Sequence, residues 1–184
     1  GVSLDLNGHT VQGPQVCTNS VGVGFQCSGA AGSENGIYVD AQMNGPTIRN
    51  GVVTGFGGQA VTVFQGAIES VTASHSGLGF ALGWYQAGTA VHARDITAYW
   101  NAGPGIYLDI GMVDGAVAYA NKSEGVTTGS SSHMAIVSNA HVSYNGGAGL
   151  KGVAVRSATA YGNKGGNAVS VKSFGGNLNN GTAF

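Results

Sequence analysis

The sequence predicts an all-β fold, a β-solenoid of about seven to eight stacked parallel coils of three strands each, and three observations carry that expectation. A four-residue motif recurs as Val53-Thr54-Gly55-Phe56, Val71-Thr72-Ala73-Ser74, Ile96-Thr97-Ala98-Tyr99, Ala116-Val117-Ala118-Tyr119, His141-Val142-Ser143-Tyr144 and Ala158-Thr159-Ala160-Tyr161. A Gly-rich or Asn-rich turn and a new apolar start follow each copy, dividing residues 37–167 into six units, 37–60, 61–79, 80–105, 106–125, 126–149 and 150–167. A period of roughly 20 to 30 residues made of short strand-like runs suits one turn of a solenoid, whereas helical repeats need longer units. The third observation is composition: 34 Gly against 3 Pro supplies corners without the strict triplet of collagen.

The elements follow in order along each unit. Unit starts such as Ile37-Tyr38-Val39, Val61-Thr62-Val63, Phe80-Ala81-Leu82, Ile106-Tyr107-Leu108 and Leu150-Lys151-Gly152 alternate apolar residues and read as opening strands. A middle strand is expected at 46–50, 66–70 and 153–157, and the motif forms the third side. Within the motif, the first and third positions should point inward, the third being small where the coil bends into a corner. His141 breaks the apolar first position, and a local shift of register accounts for it more simply than a buried imidazole. Residues 14–33 fit no unit and read as an insertion loop, and 168–184 as a last partial coil. One domain, 1–184, is expected.

Stacking at about 4.8 Å per coil turns these columns into ladders. Two residues before each motif stand Gly51, Glu69, Arg94, Asp114, Asn139 and Arg156, an expected ion-pair ladder. The fourth motif position sets Tyr99, Tyr119, Tyr144 and Tyr161 as an aromatic ladder, with sugar contact as its functional alternative because sugar rings pack on aromatic faces and the coil spacing is close to one sugar unit. Asn101, Asn121 and Asn163 follow two residues later as an asparagine ladder.

Charge excludes some partners. Charged residues make up 8% of the chain and the formal net charge is -1, so the basic footprint of a nucleic-acid binder is missing. No apolar run reaches the roughly 20 residues that span a bilayer, and no membrane insertion is expected. The first residue, Gly1, with neither signal peptide nor tag, fits a mature processed chain with held termini. Cys17 and Cys27 flank a short polar loop that brings them together, and a disulfide between them implies a secreted or cell-surface location. Asn121-Lys122-Ser123 and Asn180-Gly181-Thr182 match the glycosylation pattern, a short and unspecific signal.

Residues 3–13, Ser-Leu-Asp-Leu-Asn-Gly-His-Thr-Val-Gln-Gly, followed by Thr47-Ile48-Arg49-Asn50-Gly51-Val52-Val53-Thr54-Gly55-Phe56, resemble secreted right-handed parallel β-helix repeat proteins, similar to the pectate lyase-like superfamily. The resemblance covers nearly the whole chain. It implies the fold and leaves activity open, since that superfamily includes lyases, hydrolases, tailspikes and adhesins. It also implies that an enzyme of this kind would bind calcium through clustered acids and abstract a proton with Arg or Lys.

Tested against that chemistry, the eight acidic residues contain no adjacent pair. Glu69, Arg94, Asp95 and Asp114, with His92 nearby, are the candidates that adjacent coils would bring together, and a charge ladder is their competing role. Asp40 and Asp109 stand in equivalent strand positions but three coils apart, about 14 Å, farther than the roughly 5 to 9.5 Å used in glycoside hydrolysis. His9, His75, His92, His133 and His141 have no metal-ligand spacing, so no metal site is expected, and Ser130-Ser131-Ser132-His133 reads as a loop. Thr54, Thr72 and Thr97 could start an ice-binding face, but Val117 and Val142 interrupt it. The functional expectation is an extracellular structural protein that associates end to end into a filament or surface layer, without a cofactor. The alternative is a module that binds or cleaves a polysaccharide, with calcium entering only as a lyase cofactor.

Overall fold

The computed structural model describes residues 2–20, 24–28, 33–83, 90–129, 135–152, 154–165, 169–170 and 182–183. Every regular element among them is a strand, and nearly all pair in parallel as a β-solenoid. The opening strands Ile37–Val39, Gln59–Val63, Leu78–Leu82, Ile106–Leu108, Val126–Thr127, Leu150–Lys151 and Val169–Ser170 form one seven-stranded sheet. The middle and motif strands form a second, 13-stranded sheet that folds around the corner between them.

Four consecutive coils have three separate strands, beginning with Leu78–Leu82, Val91–Arg94 and Thr97–Tyr99 and ending with Leu150–Lys151, Ala154–Val155 and Ala158–Tyr161. In the two coils before them the middle and motif strands run on as Thr47–Thr54 and Gly66–Ser74. Complete three-strand coils are therefore fewer than the seven to eight expected. The reason is the corner. A single residue with positive φ turns the chain between middle and motif sides, at Asn50, Ser70, Asp95, Gly115 and Asn139, and in the early coils the strand runs on across it, with paired residues on both sides of Asn50 and Ser70. Asn and Asp tolerate this left-handed region better than most residues, and Gly occupies it freely.

The interior is a set of apolar columns. Ile37, Val61, Phe80, Ile106, Val126 and Leu150 stack on one side, and Ile48, Ile68, Ala93, Val113, Val137 and Val155 on another. Val53, Ala73, Ala98, Ala118, Val142 and Ala160 fill the narrow corner. From Val53 onward that corner column is essentially solvent-free. Removing such side chains from water stabilises by about 1.5–3 kcal/mol for each large one.

Two copies of the motif sit in a different register from the one read along the sequence. Gly51-Val52-Val53-Thr54, two residues earlier than expected, pairs with Val71-Thr72-Ala73-Ser74. In the fifth copy Ala140 and Val142 point inward while His141 is exposed and pairs with Val117 and Thr159. The inferred shift at His141 is thus present, and its cause is the cost of burying an imidazole where Ala140 fits.

The segment 14–33 contains an antiparallel hairpin, Val16–Ser20 with Gly24–Ser28, belonging to neither large sheet. Cys17 lies directly opposite Cys27, and the two form a disulfide. Of the segment 168–184, Val169–Ser170 and Thr182–Ala183 continue the two sheets. Asn180 and Ser130 to His133 lie outside the described residues.

Candidate functional site

The charged face is the first place to look for chemistry. Register sets Asp5, Arg49, Glu69, Arg94 and Asp114 in one column of alternating sign. Arg49 Nε donates to Asp5 Oδ2 at 2.9 Å, Arg94 Nη2 donates to Glu69 Oε1 at 3.0 Å, and Arg94 Nε lies 3.9 Å from Asp95 Oδ2. Gly51 and Asn139, expected in this column, are not in it. Gly51 faces the Leu6 side chain, and Asn139 is the corner residue after Ser138, from which its Nδ2 donates to Asp114 Oδ1 at 2.7 Å. The sequence reading missed Asp5 and Arg49 because it counted from a motif copy displaced by two residues. Asp5 is held below the usual carboxylate range by the Asn7 backbone N–H, by the Asn50 amide and by Arg49.

The lyase candidates therefore meet only in part. Glu69, Arg94 and Asp114 are neighbours, Asp95 sits at the bend, and His92 belongs to the adjacent outward column between Ala67 and Met112. Arg94 spends its guanidinium on Glu69 and is 61% exposed on an open sheet face. A guanidinium that is donating to carboxylates offers no lone pair for proton abstraction. Among the described residues no group of three His, Cys, Asp or Glu side chains is placed to hold a metal ion. A further ion pair, Lys151 Nζ to Glu124 Oε1 at 2.8 Å, lies apart from this column. Burial opposes ionisation of Glu124, but bonds from Lys151 and Ser123 outweigh it and keep the carboxyl low.

The asparagine ladder is the most ordered polar feature. Asn101, Asn121 and Asn163 are in it, together with Asn145, which the expected column lacked. Each Oδ1 accepts from the previous coil's backbone N–H and, within the ladder, from its Nδ2. Asn101 donates to Asn121 at 3.1 and 2.9 Å, Asn121 to Asn145 at 3.0 and 3.0 Å, and Asn145 to Asn163 at 3.0 and 2.9 Å. The second Nδ2 proton reaches inward to a carbonyl, Ala73 from Asn101, Ala98 from Asn121, Ala118 from Asn145 and Val142 from Asn163. Ser76 closes the near end by donating its N–H to Asn101 Oδ1 at 3.1 Å. Asn101, Asn121 and Asn145 are at most 2% exposed.

The tyrosine column is shorter than expected. Tyr99 and Tyr119 stack with centroids 5.1 Å apart and planes 8° off parallel. Ser143, however, takes the next position in the ladder. The register shift moves Tyr144 to the following corner, where it is 63% exposed and meets Tyr161 edge-on at 5.3 Å.

That corner holds a feature the sequence reading did not identify. The residue after each motif strand has positive φ in Gly55, His75, Trp100, Ala120, Tyr144 and Gly162. His75, Tyr99 and Trp100 pack edge-to-face, with centroids 5.2 to 5.7 Å apart. Cys17 Sγ of the hairpin lies 3.1 Å from the His75 carbonyl oxygen, a contact with no proton to share. Burial pushes the His75 pKa down. The signal is present in the sequence as the bulky residues His75, Trp100 and Tyr144 in a turn column that begins at Gly55 and ends at Gly162, where a non-glycine left-handed residue carries a conformational cost.

No family model, curated protein or solved structure matches the chain.

Proposed function

We propose that the protein is an extracytoplasmic structural β-solenoid that associates end to end through the sheet edge formed by Ser3–Asp5 and Thr10–Gln12. One observation carries this reading. Ser3–Asp5 and Thr10–Gln12 pair on one side with Thr47–Thr54, and among the described residues no strand pairs with their other side. Leu4 on the strand Ser3–Asp5 and Val2 just before it are 42% and 62% exposed. An unpaired edge with exposed apolar side chains is a template for a further strand, and a head-to-tail contact that does not close produces a filament. The assignment of most conspicuous polar side chains to ladders between coils supports a structural role, and the disulfide supports an oxidising compartment.

Electron microscopy and sedimentation at rising protein concentration test the reading. Filaments are expected from the native sequence, and Leu4→Lys or a proline at Ser3 should reduce them to single molecules while the coil spectrum persists. A native chain that stays monodisperse at high concentration refutes the proposal.

A second reading, favoured by the His75, Tyr99 and Trp100 corner, is a polysaccharide-binding protein related to the pectate lyase-like superfamily. Incubation with polyuronates, with and without calcium, checks for unsaturated product. Binding that survives Arg94→Ala but is lost in Trp100→Ala would assign the aromatic corner rather than the charged column.

A further inference from the structure

We propose that Asn44 is a site of spontaneous deamidation, chosen by the fold from among the Asn-Gly steps of the described residues. Such a step reacts when the backbone nitrogen of the glycine attacks the asparagine Cγ. The glycine N–H gives its proton to base, the new C–N bond closes a succinimide, and Nδ2 leaves as ammonia. Water then opens the ring at either carbonyl, leaving aspartate or isoaspartate. The reaction needs a free nucleophile, a side chain able to swing onto it, and water.

The described residues contain five Asn-Gly steps, and four are tied down. Gly8 N–H donates to the Asn50 carbonyl at 2.7 Å, and Gly36 N–H to the Gln59 carbonyl at 3.0 Å, while Asn35 Oδ1 accepts from Gln59 N–H at 2.9 Å. Asn50 Nδ2 donates to Asp5 Oδ1 at 3.2 Å, its carbonyl accepts from Gly8 N–H, and Gly51 is paired with Val71 in the sheet. Asn145 is locked in the ladder, and Gly146 N–H donates to the Asn121 carbonyl at 2.8 Å.

Asn44-Gly45 differs at both atoms. Both residues are exposed, and among the described residues neither the Asn44 amide nor the Gly45 N–H has a hydrogen-bond partner. Gly45 has φ +53°, and the space beside its Cα is open. The surrounding turn is nevertheless held, since Gln65 Nε2 donates to the carbonyls of Ala41 and Met43. Isoaspartate at Asn44 would add a backbone carbon and a negative charge beside that clasp.

The test is peptide mapping by mass spectrometry of the native protein aged in mildly alkaline buffer, with the urea-unfolded chain aged in parallel. Asn44 should react in the native protein within about threefold of its unfolded rate, while Asn7, Asn35, Asn50 and Asn145, which react only after local opening, are slowed by more than about tenfold. Asn44→Gln, at an exposed turn, should lower the rate at which early acidic species form. The proposal is overturned if native Asn44 is slowed as much as the other four, or if acidic species build up in the Asn44→Gln protein at an unchanged rate.

Discussion

Asn145 Oδ1 accepts two hydrogen bonds from Asn121, one from its backbone N–H and one from its Nδ2, both at 3.0 Å, in a turn where neither residue is more than 2% exposed. Truncation to Asn145→Ala leaves both Asn121 donors without an acceptor. Each buried, unpaired group costs about 1–3 kcal/mol, so a loss of about 3 kcal/mol or more is expected in urea unfolding. Asn145→Asp is informative because its carboxylate still accepts from Asn121 but cannot donate to the Ala118 carbonyl or Asn163 Oδ1. Burial and facing acceptors raise the folded-state pKa of that aspartate, so the folded state takes up the proton more readily and the deficit should shrink as pH falls. Equal deficits at neutral and acidic pH would contradict the ladder's donor pattern.

The same bonds bear on the Asn121-Lys122-Ser123 signature. A glycan must attach at Nδ2, and both Nδ2 protons of Asn121 are committed, to Asn145 Oδ1 and to the Ala98 carbonyl at 3.1 Å. Protein secreted by a glycosylating host should carry an unmodified Asn121 in its folded fraction. Intact-mass analysis with and without a glycan-removing amidase checks this, and a folded, fully glycosylated Asn121 would be incompatible with the ladder.

These residues also show how far sequence reading reaches. Alternation of apolar and polar residues is a local property, so the inward direction of Val53, Val71, Ile96 and Ala98 is legible in the sequence alone. Register between coils is a relation between distant segments, and it went wrong where turn length varied. Counting from Tyr144 hid Asn145, and counting from Phe56 hid the Asp5 and Arg49 end of the charged column. The buried asparagine is the better reference, because its side chain must meet the next coil's asparagine, whereas an exposed tyrosine can move one position at little cost. The His75 and Trp100 corner escaped notice because positive φ is a property of backbone path that residue type only hints at.

Arg94→Ala separates a charge ladder from a catalytic group. The pair with Glu69 is exposed, with side chains 61% and 41% accessible. Exposed ion pairs contribute about 0.2–1 kcal/mol and weaken with salt. The substitution should therefore lower stability by less than about 1 kcal/mol, and high salt should erase the difference. Ile68→Ala, one position before Glu69 but pointing into the coil, should cost about 2–5 kcal/mol. Comparable losses from the two variants in the same denaturation series would mean that Arg94 does more than align the coils.

His75 gives the solenoid an acid-sensitive corner. Its ring packs edge-on against Tyr99 and Trp100, and burial disfavours the imidazolium, lowering the folded-state pKa below the usual value of about 6.5. Between the folded and unfolded values the unfolded chain binds more protons, so stability rises with pH there. The contribution of His75 is complete above about 6.5 and is lost as pH falls from that value toward the folded pKa. NMR titration should show the His75 ring protonating below the range of an unfolded peptide, with the amides of Tyr99 and Trp100 shifting in step. Trp100→Ala uncovers the ring and should move its titration back up. An unshifted His75 midpoint in the native protein, or one unchanged by Trp100→Ala, would show that burial at this corner does not govern its charge.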